Sequence, residues 1–317
     1  MQEIIKRAKE LLADHTVERV LGWKRQDLPY DPEPTLFTTQ KELDDLVYDG
    51  FCGANLSKYM IDAGKEEGRT LVFLKPCDTY SYNQMLKEYR VDPEKAYIIG
   101  VGCKGTLDVE AMRRKGAKGI LSIEEQGDQV LIHTLYGDHM MDYENVILER
   151  CKVCKGAYHS IYDELMEKDR QLKFNPKDRF TEVYAIENMS SEERFTFWQG
   201  ELSKCIRCNA CRNVCPACSC NQCVFDSNKY DTAQKANADS FEEKMFHLIR
   251  AFHVAGRCTD CGECSRVCPQ NIPLHLLNRK LIKDINEYYG PFQAGENVES
   301  PSPLTTYTLE DIEPGTV

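Results

Sequence analysis

The strongest chemical signal in the sequence is the spacing of its cysteines. Two runs have the pattern C-x2-C-x2-C-x3-C-P: Cys205, Cys208, Cys211 and Cys215 in the first run, and Cys258, Cys261, Cys264 and Cys268 in the second. In such a run three close thiolates bind one 4Fe-4S cube, and the fourth cysteine binds the other cube. The predicted ligand sets are therefore crossed: Cys205, Cys208, Cys211 and Cys268 for cube one, and Cys258, Cys261, Cys264 and Cys215 for cube two.

A pair of structural zinc sites is the alternative for these eight cysteines. Zinc takes four ligands at tetrahedral corners, usually in a two-plus-two pattern. That pattern explains neither the third cysteine of each run nor the proline after the fourth, so the spacing favours iron and sulfur. A polar loop (226–240) and a predicted helix (241–255) separate the runs. This arrangement resembles the α-helical ferredoxin domain of electron-transfer subunits.

The cysteines of the N-terminal part follow a second pattern. Cys52, Cys77 and Cys103 are 25 and 26 residues apart, and each follows a predicted strand and precedes a predicted helix. This register places them at the carboxyl edge of a parallel sheet, where ligand sites form, and at helix N-termini, which stabilise thiolates. A chance scatter of small buried side chains is the alternative. Cys151 and Cys154 form a C-x2-C half-site that lacks two ligands.

Combining these cysteines predicts a third cube with the ligands Cys77, Cys103, Cys151 and Cys154. Four cysteines remain: Cys52, Cys218, Cys220 and Cys223. Sixteen cysteines are four groups of four, so a fourth cube is arithmetically allowed. A structural zinc ion or free thiols are the alternatives for this last group, and crowding alone could place the last three beside cube one.

Two kinds of structure must position these cysteines. Short apolar runs alternate with helical periods from about residue 17 to 135, which predicts an α/β layer with a small parallel sheet. The predicted strands are LVYD before Gly50, 71–74, 97–101 and 119–123, with 130–136 as the second arm of a hairpin on the sheet edge; the predicted helices are 55–66, 80–89 and 107–115. The cysteine-rich remainder is expected to be mostly α-helical.

The chain is accordingly divided into four predicted parts. They are an α/β domain (1–136), a connector with the C-x2-C half-site and helices near 158–168 and 191–203 (137–204), a dicluster domain (205–286), and an acidic tail or partner-docking arm (287–317). The last part has six acidic and no basic residues.

The helix predicted between the two runs places apolar residues on one face, and this face is expected to pack on the metal region: Phe241, Met245, Leu248 and Phe252. His247 and His253 are not on one face and are expected to pack or to face solvent. His253 is the candidate for a hydrogen bond near a cluster sulfur.

Composition limits the class of protein. The chain has 317 residues, 16 cysteines and a net charge of −11, and this acidic balance argues against nucleic-acid binding. No apolar run approaches a membrane span of about 18 residues, and the N-terminal helix lacks a signal-peptide core. We therefore expect a cytoplasmic protein without membrane insertion. In that reducing compartment the cysteines indicate metal or redox chemistry rather than disulfides.

Residues 17–285 together resemble known families. KPCD (75–78), IIGVGC (98–103) and CKVC (151–154) resemble the flavin-containing β subunits of deazaflavin-reducing hydrogenases and formate dehydrogenases. CIRCNACRNVCP and CTDCGECSRVCP resemble the dicluster domain of electron-transfer subunits in anaerobes. The resemblance implies the cube on Cys77, Cys103, Cys151 and Cys154, and FAD as a further cofactor that passes a hydride to a deazaflavin.

These observations predict an electron-transfer subunit of a cytoplasmic, anaerobic oxidoreductase complex. It would relay single electrons through 4Fe-4S clusters between a catalytic partner subunit and a carrier or second redox module, without a catalytic acid, base or nucleophile. Candidate partners are subunits of a hydrogenase, a formate dehydrogenase, a heterodisulfide-reductase-like enzyme or a tungsten or molybdenum oxidoreductase, and ferredoxin. One alternative is a flavoenzyme subunit that exchanges hydride between FAD and a nicotinamide or deazaflavin. A zinc-held scaffold without redox function is another.

Overall fold

A computed structural model describes residues 2–156, 158–166, 176–226 and 240–306, except for the side chains of residues 176, 177 and 240–243. The chain divides into two compact units. Unit 1 comprises Met1–Tyr82 and Tyr89–Arg179, and unit 2 comprises Asn83–Glu88 and Phe180–Val317. The four domain bounds expected from the sequence stay predictions.

The predicted fold class is confirmed, because unit 1 contains a mixed, largely parallel sheet and unit 2 is helical. In the described part of unit 1, six strands form the main sheet: β1 (Arg19–Lys24), β2 (Glu33–Phe37), β3 (Leu46–Val47), β4 (Thr70–Leu74), β5 (Ala96–Gly100) and, later in the chain, β9 (Glu164–Leu165). Their order is β2-β1-β4-β5-β9, with β3 also paired to β1. β1, β4, β5 and β9 run parallel, whereas β2 and β3 are antiparallel to β1.

The sequence of β4 explains its central place in the main sheet. All five of its residues, TLVFL, are buried, as expected for a strand covered on both faces. Its register with β5 pairs Thr70 with Ala96 and Leu74 with Gly100. Both strands therefore end in the same row, and the residues that follow them share one edge of the sheet.

A second sheet lies in unit 1 and consists of β6 (Ile120–Gln126), β7 (Gln129–Thr134) and β8 (Gly137–Asp142). The predicted hairpin is present, with Gly127 in the left-handed region at its turn. Its expected place on the edge of the parallel sheet is wrong, because β7 pairs with β6 and β8 instead. β8 has the sequence GDHMMD and no buried residue. It therefore lacks the apolar alternation from which a strand is predicted.

The helices of this part of the chain are α1 (Gln2–Ala13), α2 (Met60–Ala63), α3 (Pro76–Lys87), whose residues from Asn83 on belong to unit 2, α4 (Val109–Arg114) and α5 (Glu149–Lys152). The helix predicted near 158–168 is wrong for the described residues 158–166, which contain β9. Polar anchors hold this segment extended. The amide of Ile98 donates to Asp163 Oδ2 at 2.6 Å, and Arg7 Nε donates to Glu164 Oε2 at 2.9 Å.

Unit 2 is built from helices: α6 (Thr181–Glu187), α7 (Ser191–Leu202), α8 (Ala210–Asn213), α9 (Ser240–His253), α10 (Glu263–Arg266) and α11 (Leu274–Tyr288). A capping box of Ser190 and Glu193 begins α7, which matches the helix expected near 191–203, and α9 matches the helix expected between the cysteine runs. α9 and α11 pack against each other, and α9 also packs against α7.

The predicted acidic tail is described up to residue 306, and residues 307–317 lie outside the described part. Asn286 fixes the turn after α11, since its Oδ1 accepts from the amide of Phe292 at 3.1 Å. Gln293 and Ala294 are buried, and Asn83 Nδ2 donates to the carbonyl of Gly295 at 3.1 Å. Within the described residues, no helix is long and apolar enough to cross a membrane.

Candidate metal centres

The two cysteine loops of unit 2 have the same backbone pattern. Arg207 and Asn209 in the first loop, and Asp260 and Gly262 in the second, have left-handed φ values between 54° and 66°. These are the second and fourth residues after Cys205 and Cys258. Three of the four are not glycine, so the loops hold an unfavourable conformation that the surroundings must stabilise. Each loop leads into a four-residue helix, α8 or α10.

Cysteines of the predicted first cube lie together in one apolar cluster. Cys211 is buried beside Leu202 and Phe246, and Cys205 and Cys268 pack against the same cluster, which also contains Cys264 of the predicted second cube. Burial raises the pKa of the Cys211 thiol to about 11; Arg250 acts against this, whereas Cys264, Cys268 and Cys208 add to it. Two predicted partners of Cys211, Cys208 and Cys268, therefore affect its pKa, although these two cysteines are distant from each other in sequence.

Cysteines of the predicted second cube meet beside Val254. Cys215 is buried there, and Cys258 and Cys218 pack against it. Burial raises the pKa of Cys258, and the charges of Asp260, Cys215 and Cys261 raise it further. The pKa of Cys215 is lowered to about 6, first by a hydrogen bond with the Cys218 side chain. Cys215 thus joins the second loop, as the crossed ligand sets require.

N–H groups point at the sulfur atoms of these loops. The amide of Arg207 donates to Cys205 Sγ at 3.3 Å, and the amide of Ile272 donates to Cys268 Sγ at 3.5 Å. Hydrogen bonds to sulfur and burial are two of the means by which a protein sets the potential of an iron–sulfur cluster. The donor set and its surroundings therefore fit a cube.

His247 on α9 is the polar neighbour that the sequence interpretation missed. Its Nε2 lies 3.2 Å from Cys205 Sγ. Burial lowers the pKa of His247 to about 3, and the charges of Arg250 and Arg207 lower it further. The imidazole is therefore neutral at neutral pH, and it donates to the sulfur in the tautomer that carries the proton on Nε2. The expected candidate, His253, stacks near Phe225 instead.

The face of α9 that packs on the metal region also differs from the prediction. Phe246, His247 and Arg250 are buried, as is Val254 just after the helix, whereas Met245, Leu248 and Phe252 are 39%, 39% and 65% exposed. The side chain of Phe241 lies outside the described part. The helix does pack on the cysteines, but with a face that carries two polar side chains.

Two of the predicted third-cube cysteines follow neighbouring strands of unit 1. Cys77 begins α3 just after β4, and Cys103 follows β5. Burial raises the pKa of Cys77, and Asp78 and Cys154 raise it further. Burial also raises the pKa of Cys103 to about 11, with Cys151 as the next cause. Each strand-end cysteine is therefore paired electrostatically with one cysteine of the C-x2-C half-site.

Backbone amides and close packing hold this group. The amides of Gly105, Thr106 and Gly156 donate to the sulfurs of Cys103, Cys151 and Cys154 at 3.4, 3.4 and 3.3 Å. A Cβ on Gly156 would lie 2.9 Å from the amide nitrogen of Cys77. Glycine at this position lets the half-site approach the start of α3.

A buried lysine lies beneath these thiols. Lys75 Nζ is 2.9 Å from Asp78 Oδ2 and donates to the carbonyl of Ala54 at 2.8 Å. Burial lowers the pKa of Lys75, but the charges of Asp78, Cys77 and Cys103 outweigh it, and the pKa is raised overall. Lys75 is thus a fixed positive charge next to two candidate ligands.

Cys52 differs from the other strand-end cysteines. Its strand, β3, is antiparallel to β1, so the expectation that it ends a parallel strand is wrong. It remains near the same edge, because Lys75 Nζ donates to its carbonyl at 3.2 Å. Burial raises the pKa of the Cys52 thiol, and Asp49 is the next cause. Its Sγ lies 3.6 Å from the carbonyl oxygen of Val47.

The other three unassigned cysteines belong to unit 2 and lie near arginines. Cys218 and Cys220 act on Arg257, whose pKa is raised chiefly by its hydrogen bonds to Glu88. Cys223 acts together with Asp226 on Arg212. Within the described residues, no three His, Cys, Asp or Glu side chains are arranged to hold a single metal ion. The fourth cube stays a prediction.

Comparisons with known proteins agree with this geometry. Residues 201–272 match the family model of the 4Fe-4S dicluster domain. The chain is 22% identical to the F420-dependent formate dehydrogenase subunit beta of Methanocaldococcus jannaschii, over 91% of this chain and 90% of that protein. It is 24% identical to the F420-dependent formate dehydrogenase 1 subunit beta of Methanococcus maripaludis, over 93% and 91%. The resemblance predicted from the motifs is confirmed.

Two further similarities are more limited. A putative ferredoxin-3 of Sinorhizobium fredii is 30% identical over 25% of this chain and 75% of its own length. A chain of the F420-reducing [NiFe] hydrogenase complex from Methanosarcina barkeri, solved as a xenon derivative, matches 65% of this chain and 90% of its own length with 11% identity and a TM-score of 0.38.

Proposed function

We propose that this chain is the electron-transfer subunit of a cytoplasmic oxidoreductase complex of anaerobic metabolism. The observation that carries the proposal is the packing of cysteines from both loops in shared clusters, with Cys205, Cys211, Cys264 and Cys268 in one and Cys215 and Cys258 in the other. A bound 4Fe-4S cube accepts and donates single electrons. The relatives named as β subunits of F420-dependent formate dehydrogenases support a place in a complex of this class.

Unit 2 supplies position and electrostatics for two cubes in this proposal. The apolar cluster around Phe246 and the second one around Val254 keep water from the buried thiolates of Cys211, Cys264 and Cys215, whereas Cys208 is exposed. Amide donors stabilise the sulfur charge. Metal binding must outweigh the cost of ionising these buried thiols, which burial makes weak acids. The folded unit is therefore expected to be strongly stabilised by its clusters.

Unit 1 holds the third cube in this proposal. Its ligands would be Cys77, Cys103, Cys151 and Cys154, which are coupled in pairs across the sheet edge. Electrons would pass through these cubes between a catalytic partner subunit and a carrier or second redox module. Ferredoxin and further subunits of a formate dehydrogenase, hydrogenase, heterodisulfide-reductase-like or tungsten or molybdenum enzyme are the candidate partners.

Anaerobic purification of the native complex, with iron, zinc and flavin counted per chain, tests the proposal. Three cubes correspond to about 12 irons per chain. About 8 would reject the unit 1 cube, and about 16 would add a fourth cube. A chain that carries zinc in place of iron would sink the proposal.

A cavity in unit 1 favours a second candidate function, a flavin-containing subunit that exchanges hydride with a nicotinamide or deazaflavin. The cavity has a volume of about 310 Å³, within the range of ligand pockets, and its lining includes Tyr48, Lys75, Gly102 and Cys103. It therefore borders a candidate cube ligand. A flavin absorbance band in gently purified protein would support this function, and a flavin-free chain with full iron would remove it.

A further inference from the structure

The most unusual charge in unit 2 is the guanidinium of Arg250 on α9. The residue is 3% exposed, and its Nη1 contacts the carbonyl of Cys211 at 3.5 Å. Its Nε has no hydrogen-bond partner. Among the described residues, no carboxylate forms an ion pair with it. A buried cation without such a partner carries a desolvation cost of several kcal/mol.

Cysteines supply the negative charge around this cation. Burial lowers the pKa of Arg250, but the charges of Cys264, Cys215, Cys211 and Cys218 outweigh it, and the pKa is raised overall. Cys211 belongs to the predicted first cube, whereas Cys215 and Cys264 belong to the second. Arg250 therefore lies beside ligands of both cubes at once.

We propose that Arg250 is the shared counter-charge of the two unit 2 cubes and that it makes both easier to reduce. This inference rests on the proposed function, because it needs both cubes bound. Reduction adds one electron from a one-electron donor to a cube and takes up no proton at Arg250. A nearby positive charge stabilises the added electron, and low exposure to water strengthens that attraction.

Lysine and glutamine at position 250 test this inference. In Arg250→Gln, which removes the charge but keeps a polar side chain, we expect the equilibrium constant for reduction of each cube to fall at least tenfold, or about 59 mV for one electron. In Arg250→Lys, which keeps the charge, we expect both constants to stay within about threefold of the wild type. The readout is a redox titration of the full chain followed by electron paramagnetic resonance, with dithionite as reductant.

Arg194→Gln is the matched control. Arg194 is also in unit 2, and its Nη1 donates to the carbonyl of Glu187 at 3.1 Å, away from the cysteine loops. Its removal takes the same charge from the unit and should leave both constants within about threefold. A change in Arg194→Gln as large as that in Arg250→Gln would show that only net charge matters, and it would overturn the inference.

The remaining outcomes also support or refute the role of Arg250. Arg250→Gln with full iron and unshifted potentials would refute the shared counter-charge. If Arg250→Gln loses iron, the result for Arg250→Lys distinguishes the two explanations. Full iron and wild-type potentials in Arg250→Lys support the role of the charge, whereas loss of iron or shifted potentials in this variant contradict it. The proposed function fails separately, when the wild-type chain itself binds fewer than about 8 irons.

Discussion

The predicted cube ligands of unit 2 lie on two loops that have left-handed residues at the same positions, whereas those of unit 1 lie after two strands and in one distant C-x2-C segment. In unit 2 a spacing of three residues brings Cys205, Cys208 and Cys211 together. In unit 1 the sheet must do this work, because Cys77 and Cys103 become neighbours only when β4 and β5 end in one row. In unit 2 the local spacing of the cysteines thus brings three ligands together, whereas in unit 1 the pairing of distant strands does so.

The buried cations of the two units differ in the groups that balance their charge. Lys75 forms an ion pair with Asp78 at 2.9 Å, so a carboxylate three residues away balances the charge of this lysine. The negative groups that raise the pKa of Arg250 are cysteines: Cys264, Cys215, Cys211 and Cys218. We infer that unit 2 depends more strongly on bound clusters for its stability than unit 1 does.

Loss of a unit 2 ligand should have the largest effect. Cys211→Ser removes a buried ligand that neighbours Cys208 and Cys268, so we expect about four irons per chain to be lost, together with the signal of one cube. Iron analysis and electron paramagnetic resonance measure this. Met245→Ser, on the exposed face of α9, is the control and should keep all its iron. Full iron in Cys211→Ser would reject Cys211 as a ligand of cube one.

Loss of a unit 1 ligand should remove a cube without disturbing unit 2. We expect Cys103→Ser to lose about four irons while both unit 2 signals remain, because its charged neighbours are those of unit 1. Cys52→Ser is the matched control, since Cys52 is buried at the same sheet edge but has Asp49 rather than a cysteine as its main charged neighbour. Loss of the same cube signal in both variants would reject the choice of ligands.

The buried ion pair of unit 1 gives the next effect. Asp78→Asn leaves the Lys75 charge buried and should lower the free energy of unfolding by about 3–5 kcal/mol. Asp62→Asn is a close control, because Lys65 and Asp62 form a pair with the same sequence separation but are 70% and 80% exposed. Its loss should cost about 0–1 kcal/mol. Urea unfolding of both variants measures the difference, and equal values would contradict the importance of burial.

Spacing made the unit 2 site predictable, and topology limited the prediction in unit 1. The C-x2-C-x2-C pattern needs no knowledge of the fold, and the apolar run of β4 is visible because all its positions are buried. β8, without a buried residue, gave no such signal. The direction of β3 depends on its pairing with β1, which no local pattern encodes.

The buried face of α9 shows why the apolar periodicity of the sequence predicted the wrong face of this helix next to the cysteines. Apolar spacing selected Met245, Leu248 and Phe252, yet these side chains are partly exposed. The buried face instead carries His247 and Arg250, which contact sulfur or lie beside thiolates. Around a charged centre, polar side chains gain more from burial than the apolar pattern allows for, so the functional face of the helix looks hydrophilic in sequence.

The smallest effect concerns how closely the half-site approaches α3. Gly156→Ala would place a Cβ 2.9 Å from the amide nitrogen of Cys77, so the turn must shift, and we expect a loss of about 1–3 kcal/mol in stability. The iron content of the unit 1 cube should also fall. Gly200→Ala in α7 meets no atom within 4 Å and should instead stabilise the chain by about 0.5–1 kcal/mol. If Gly156→Ala unfolds like the wild type and keeps all its iron, the half-site does not depend on this contact, and the view that unit 1 builds its site by topology is weakened.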